Sequence, residues 1–448
     1  MNRITATLVV LAVLCSRVSS ADELPAPFAK LMPADGDSFV FLGDSITSQA
    51  LYTQYVETYF YTRYPQLRFK FHNAGVSGDT VADALVRFDG DVAAYKPKYV
   101  TVLLGMNDGA AERFDEALFE TYRRDMQTLV ERIRDIGATP ILITPTMYDL
   151  RVKQLNPKPD SRGRGGYYNG VLALYGSWLR EFGAERGLGL VDFYAPLNAF
   201  TLQSRKTQPN FTLVPDGIHP NAGGHAVMAY AFASDLGLSK RCSTIDLSRG
   251  TGDAAVAKVT GGKVTDARYL ADGVEFTFHP VSLPLPVSPD AKVGADLIPL
   301  GHRLSYEAIY IHNLPAGRYS LQIEDREIGV YTAATLESKL ELENIESTPQ
   351  YQQAARVMEL NARRNVETVV PLRDLWRAQK TLARTRRELA AAPDDPALKK
   401  RITAYERKLS DFDQQVAELK RQSQAIEDEI YLANQPRPLH FRLVRQSP

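Results

Sequence analysis

Phe39-Val40-Phe41-Leu42-Gly43-Asp44-Ser45-Ile46-Thr47 is the stretch on which the fold turns. Its apolar run, broken by Gly43 and followed by an amphipathic segment, reads as a buried strand that passes directly into a helix. The same grammar recurs downstream. Candidate strands are Phe39–Gly43, Arg68–Asn73, Tyr99–Gly105, Pro140–Thr144 and Gly189–Phe193. Between and after them lie candidate helices at Ser48–Arg63, Thr80–Tyr95, Phe114–Ile136, Tyr167–Arg186 and Ala222–Leu236. Alternation of this kind predicts an α/β fold, with a parallel sheet covered by helices on both faces. In such sheets ligands bind beyond the carboxyl ends of the strands. The loops after Leu42, Asn73, Leu104 and Thr144 are therefore where chemistry is expected.

Each of those loops carries a chemical group. Ser45 stands at a strand-to-helix turn, exposed at the sheet's edge, with its amide at a helix N-terminus where partial positive charge favours a developing oxyanion. Taken alone, Ser45 reads first as a helix cap. The second strand runs into Asn73-Ala74-Gly75-Val76-Ser77-Gly78-Asp79-Thr80, whose glycines permit close backbone approach. Read by itself this is an ordinary turn in which Asp79 caps the next helix. The third strand ends in Gly105-Met106-Asn107-Asp108, and an Asn amide there can donate to an oxyanion or serve a polar turn. A final loop reads Val214-Pro215-Asp216-Gly217-Ile218-His219-Pro220-Asn221. Asp216 and His219, three apart, can face the same way, so that the carboxylate orients the imidazole as a general base. Asn221 is placed to cap the helix that follows. His72, His225, His279, His302, His312 and His440 have no such Asp partner in sequence.

Taken together, the four blocks closely resemble the SGNH hydrolases, also called GDSL esterases/lipases, over about residues 38–238. They stand as Gly-Asp-Ser-Ile (43–46), Asn-x-Gly-x-Ser-Gly-Asp-Thr (73–80), Gly-x-Asn-Asp (105–108) and Asp-Gly-Ile-His-Pro-Asn (216–221). Ile46 stands where the family's name carries Leu. The resemblance implies a three-layer flavodoxin-like core, a carboxylic ester hydrolase activity, and no metal or cofactor. It implies Ser45 as nucleophile, His219 as base and Asp216 as its orienting group. The oxyanion donors it implies are the Ser45 amide, the Gly78 amide and the Asn107 side chain.

The long loop from Pro145 to about Gly166 carries Arg151, Lys153, Lys158, Arg162 and Arg164 against Asp149 and Asp160. It reads as a solvated loop or as a clamp for an anionic substrate, with Arg151, Arg162, Arg164 and Tyr148 as the substrate-binding candidates. Tyr148, Tyr167 and Tyr168 flank it and are available for packing or for stacking on sugar rings.

Beyond the hydrolase core, taken as 36–240, residues 250–335 are rich in Gly, Pro and β-branched or aromatic residues. Their period-2 runs predict a small antiparallel β unit. From 348 to 432 the chain becomes charged and Ala-rich. Ile402, Tyr405, Leu409, Phe412, Val416, Leu419, Ser423, Ile426 and Ile430 form a heptad-like seam, and Leu375, Ala378, Leu382, Thr385 and Leu389 a weaker one. Pro393-Asp394-Asp395-Pro396 separates them, which predicts an antiparallel helical hairpin, its first helix started or kinked by Pro371. The seam reads as hairpin core or as a coiled-coil surface for a homo-oligomer. Residues 436–446 read as a strand returning to the β unit.

The chain has 448 residues, with 53 Lys+Arg, 53 Asp+Glu and two cysteines. Zero formal charge excludes strong whole-chain attraction to nucleic acid, and two cysteines exclude a disulfide scaffold. Arg3, the apolar run Ile4–Cys15 and Ser19-Ser20-Ala21 read as a secretory signal over 1–21, too short to span a bilayer. Its removal takes Arg3, Arg17 and Cys15, leaving 51 basic residues against 53 acidic and Cys242 alone. The expectation is an exported, periplasmic or extracellular serine esterase without a disulfide or a transmembrane segment. It acts on short acyl, perhaps acetyl, esters of a small molecule or polysaccharide. The competing readings are a lysophospholipase or thioesterase, an acyltransferase, and an envelope scaffold protein with an inactive core.

Overall fold

A computed structural model of the chain describes residues 28, 30–156 and 162–447. The segment read as a secretory signal, and Lys158 and Asp160 of the basic loop, lie outside the described residues.

Five strands form the central sheet: β1 (Ser38–Gly43), β2 (Lys70–Gly75), β3 (Tyr99–Leu103), β4 (Thr139–Ile143) and β5 (Gly189–Val191). Their order is β2-β1-β3-β4-β5 and every pairing is parallel. This is the flavodoxin-like order, with its switch point between β1 and β3. β3 is buried at every position, as a strand covered on both faces must be. The principal flanking helices are α1 (Leu51–Arg63), α2 (Glu116–Asp135), α3 (Tyr168–Glu185) and α4 (Ala222–Asp235). In α2 the buried residues Tyr122, Met126, Leu129, Val130 and Ile133 fall at steps of three and four, which places one stripe against the sheet.

Two local differences from the sequence reading have physical causes. The single helix expected over Thr80–Tyr95 is three short helical pieces, Val81–Val86, Phe88–Asp91 and Ala93–Tyr95. The first break falls at Arg87, whose buried guanidinium turns inward to donate to the carbonyls of Gly43 and Ala74. The loop after β4 contains a short helix, Leu150–Leu155, and a further helix, Tyr194–Ser204, follows β5.

The remainder builds two further sheets and a helical arm. β6 (Arg241–Arg249), β7 (Ala255–Thr260), β10 (Tyr306–Ile311) and β13 (Leu340–Glu341) form one sheet in the order β13-β10-β6-β7. The first strand thus lies ahead of the composition change at 250, and it pairs with β10 in parallel, where a purely antiparallel unit was expected. β8 (Gly262–Tyr269), β9 (Gly273–Pro280), β11 (Arg318–Ile323), β12 (Arg326–Thr332) and β14 (Leu439–Arg445) form an antiparallel sheet in the order β12-β11-β14-β9-β8. The C-terminal strand therefore sits in the middle of that sheet.

The helical arm is an antiparallel hairpin whose two sides are each interrupted. The first comprises α5 (Pro349–Arg364), a π-helical turn at Asn365–Val369, and α6 (Val370–Ala391). Pro371 is the second residue of α6, just after the π-helical turn, so the interruption of α-helical pairing lies beside its missing N–H. The returning side is α7 (Pro396–Lys408) and α8 (Phe412–Ala433). At its base the seam residue Ile430 packs with Tyr61 of α1 and Leu360 of α5. Phe412, Val416 and Leu419 pack around Val76, Leu372 and Trp376. Val76 belongs to the loop after β2, so the hairpin reaches the rim of the central sheet.

Candidate active site

The turn after β1 is tightly built. A Cβ at Gly43 would meet Thr47 Oγ1 at 2.1 Å and the Leu103 carbonyl at 2.9 Å, so only glycine fits. The following short helix is capped by Asp44, whose Oδ1 accepts from the Ile46 N–H at 2.9 Å. With capping assigned to Asp44, the Ser45 hydroxyl is left to another partner. That partner is His219: Ser45 Oγ lies 2.7 Å from His219 Nε2.

His219 is held in turn by Asp216. Nδ1 stands 2.7 Å from Asp216 Oδ2, while Oδ1 accepts the backbone N–H groups of Ile218 at 2.8 Å and His219 at 2.7 Å. Its partial burial by itself would raise the Asp216 pKa, but the ring and backbone hydrogen bonds outweigh it and hold the carboxyl well below its ordinary range. An ionised Asp216 keeps the proton on Nδ1 and leaves Nε2 free to accept from Ser45. Gly217 makes the turn at φ +85°, and Asn221 caps α4 through the Gly224 N–H. Asp149, which sequence reading counted only as loop charge, anchors this turn: its N–H donates to the Gly217 carbonyl at 2.9 Å. Its buried carboxylate accepts from Arg205 and Thr212, each at 2.6 Å.

The loop after β2 approaches from the other side. Asn73 is structural: its amide donates to the Thr47 carbonyl at 2.7 Å and accepts the Gly75 N–H at 2.9 Å. The Val76 N–H donates to the Gly43 carbonyl at 3.0 Å, which joins this loop to the Ser45 turn. Gly78 has φ +75°, a conformation that favours glycine. Thr80, not Asp79, caps the next helix, in a reciprocal capping box with Asp83. Asp79 is instead buried among cations.

Asn107 comes from the loop after β3. Its Nδ2 donates to the Asp79 carbonyl at 2.9 Å and stands 3.4 Å from Asp44 Oδ2. Its Oδ1 accepts from Arg164 Nη2 at 2.8 Å. Asp44 has its pKa pushed up to about 6 by burial.

The basic loop divides. Arg162 Nη2 donates to the Gly78 carbonyl at 2.8 Å, and Arg164 holds Asn107, so both bear on the rim. Arg151 is exposed on the Leu150–Leu155 helix. Tyr148 is buried and its ring packs edge-to-face with that of Tyr168, so it is not open for sugar stacking. Tyr168 donates its hydroxyl to the Met106 carbonyl at 2.6 Å, and Tyr167 is exposed beneath the Arg113 guanidinium.

Residues 41–227 match the family model of the GDSL-like Lipase/Acylhydrolase family. This segment is a GDSL-like hydrolase domain. It is an esterase/acylhydrolase domain of the SGNH type, and the chain is a carboxylic ester hydrolase. An acetylxylan esterase of Geobacillus stearothermophilus is 27% identical over 224 residues, 45% of this chain and 94% of that protein. Thioesterase 1/protease 1/lysophospholipase L1 of Escherichia coli strain K12 is 27% identical over 164 residues, 37% of this chain and 65% of that protein. Among solved structures, a gut microbial diltiazem-metabolizing enzyme shares the fold with a TM-score of 0.79 and 24% identity. That match covers 94% of this chain and 100% of the other. The shared fold therefore extends past the GDSL domain into the accessory sheets and the hairpin. No helix among the described residues is long and apolar enough to cross a membrane.

Proposed function

We propose that this protein is an exported serine esterase that removes short acyl groups, acetyl foremost, from a carbohydrate through an acyl-Ser45 intermediate. The observation that carries the reading is the continuous chain Asp216–His219–Ser45, with both contacts at 2.7 Å. His219 Nε2 takes the hydroxyl proton as Ser45 Oγ attacks the ester carbonyl carbon. The carbonyl π electrons move to oxygen, and the oxyanion is met by the Ser45 and Gly78 amides and by Asn107 Nδ2. On collapse the C–O bond to the alcohol breaks and His219 returns its proton to the leaving oxygen. Water then attacks acyl-Ser45, giving its proton to His219. The acid departs as Ser45 regains a proton.

The acetyl preference is supported by the likeness to the acetylxylan esterase, which spans nearly all of that protein. Export is supported by the basic start, apolar run and small residues of the first 21 positions. Arg162 and Arg164, which bond to Gly78 and Asn107, support a positively charged rim suited to a glycan that also carries acid groups.

Hydrolysis rates on p-nitrophenyl esters from acetate to laurate, beside acetylated xylo-oligosaccharides, test the proposal. The expected result is fastest turnover at acetate and acetate release from the oligosaccharide. Turnover that rises steadily with chain length, with no acetate released, contradicts it and favours a lysophospholipase or thioesterase.

A further inference from the structure

The helical hairpin lies outside the GDSL domain, yet one of its side chains enters the loop that carries Gly78. Lys380, on α6, directs Nζ to Asp79 Oδ1 at 2.7 Å and to Asp83 Oδ2 at 2.9 Å. The Asp79 carboxylate is completely buried, and its other oxygen accepts from Arg87 Nε at 2.8 Å. The backbone of the same residue does two further things. Its N–H closes a turn on the Val76 carbonyl at 3.1 Å, and its carbonyl receives Asn107 Nδ2 at 2.9 Å. Asp79 therefore joins both groups placed at the oxyanion position, the Gly78 amide beside it and the Asn107 amide bonded to it.

The rest of α6 reinforces this attachment. Trp376 packs with Val76, and its ring lies 3.0 Å from where a Cβ at Gly90 would stand. Arg373 makes a two-point contact to Asp91, at 2.7 and 2.9 Å. Asp91 also receives Arg87 Nη1 at 2.6 Å, and Arg87 is the residue that shares Asp79 with Lys380. A buried carboxylate in such a position needs its cations, because a partner removed leaves an uncompensated charge.

We propose that Lys380 is a positioning residue of the esterase: by pairing with Asp79 it fixes the Val76–Asp79 turn and Asn107 so that their amides meet the developing oxyanion. The hairpin is then a working part of the active centre. This rests on the serine mechanism proposed above. Displacing an oxyanion donor by even about 1 Å costs on the order of 100-fold in rate, and the loss falls on kcat rather than on ground-state binding.

The test compares the full-length wild type with Lys380→Met, Lys380→Arg, Arg386→Met and Ser45→Ala on p-nitrophenyl acetate, with Tm recorded for each. Arg386 pairs with Glu406 within the hairpin and serves as the distant control. Lys380→Met is expected to lose about tenfold or more in kcat with KM within about threefold of wild type. Lys380→Arg should recover most of the loss, and Arg386→Met should match wild type. Wild-type kcat in a folded Lys380→Met protein overturns the proposal, as does an equal loss in Arg386→Met. If Lys380→Met lacks a native melting transition, Lys380→Gln is read by the same criteria; loss of folding in both makes Lys380 a folding residue and also overturns it. Should Ser45→Ala itself keep wild-type turnover, the serine mechanism fails instead, so the two failures are distinguishable.

Discussion

Arg164 donates from Nη2 to Asn107 Oδ1 at 2.8 Å. An amide has one accepting and one donating end, and a guanidinium can only donate. Arg164 therefore fixes which end of Asn107 faces the Asp79 carbonyl and the Ser45 turn. Arg164→Ala should lower kcat on p-nitrophenyl acetate by about tenfold, part of the 10²–10³-fold attached to a whole oxyanion donor, with KM little changed. Arg164→Lys should recover little, because an ammonium does not reproduce the planar fork. Steady-state kinetics on the two variants check this, and full activity in Arg164→Ala would remove Arg164 from the orienting role.

Asp216 defines the tautomer of His219. Asp216→Asn keeps the shape but permits the wrong ring proton, and kcat should fall by about 10³–10⁴-fold at neutral pH. Circular dichroism should show an unchanged fold, since Asp216 is exposed at the end of a loop. A loss of less than about tenfold would mean that another group orients the imidazole.

Glu307, in the accessory β unit, is buried with Oε2 unpartnered, and burial with the neighbouring Glu343 charge pushes its pKa up to about 7 from 4.5. A carboxyl whose folded pKa is raised binds its proton more tightly when folded. Wild-type stability therefore falls as pH rises from about 4.5 to about 7 on account of this group. Glu307→Gln removes that term and can still accept from Gln350. The variant should gain on wild type by on the order of 3 kcal/mol at pH 8, with the gain shrinking toward pH 4.5. Melting curves at the two pH values provide the check; a gain that does not depend on pH contradicts the charge argument.

The contact of Arg373 with Asp91 is almost wholly buried on both sides. Burial alone would raise the Asp91 pKa, but the Arg373 and Arg87 charges and the His72 hydrogen bond hold the carboxyl far below its usual range. Arg373→Met should cost about 3–5 kcal/mol, the range for breaking one side of a buried ion pair. Limited proteolysis should then cut within the hairpin earlier than in wild type. Unchanged Tm and unchanged cleavage would show that α6 is held without this pair.

The parts legible in the sequence are those whose signal is local. Phe39–Gly43 reads as a buried strand because the residues themselves are apolar and end in a glycine that cannot be replaced. Asp216 and His219 are three apart, so a single turn joins them. Ser45, Gly78, Asn107 and the Asp216–His219 turn could be placed on one rim because each follows its own element. What local pattern does not carry is side-chain direction and distant pairing. Arg87 looks like one position in a helix, yet its guanidinium turns inward and the helix breaks there. Tyr148 could pack or stack on a sugar as far as its sequence goes, and only the position of Tyr168 decides for packing. Lys380 meets Asp79 across 301 residues of chain, and nothing in either neighbourhood announces the pair.

The most direct test of the central claim is active-site labelling with a fluorophosphonate probe, read by peptide mass spectrometry alongside p-nitrophenyl acetate turnover. The account predicts a single adduct on Ser45, loss of hydrolysis in proportion to labelling, and neither labelling nor turnover in a folded Ser45→Ala variant. Wild-type ester hydrolysis by Ser45→Ala, or inhibition with the adduct on another residue, would contradict it.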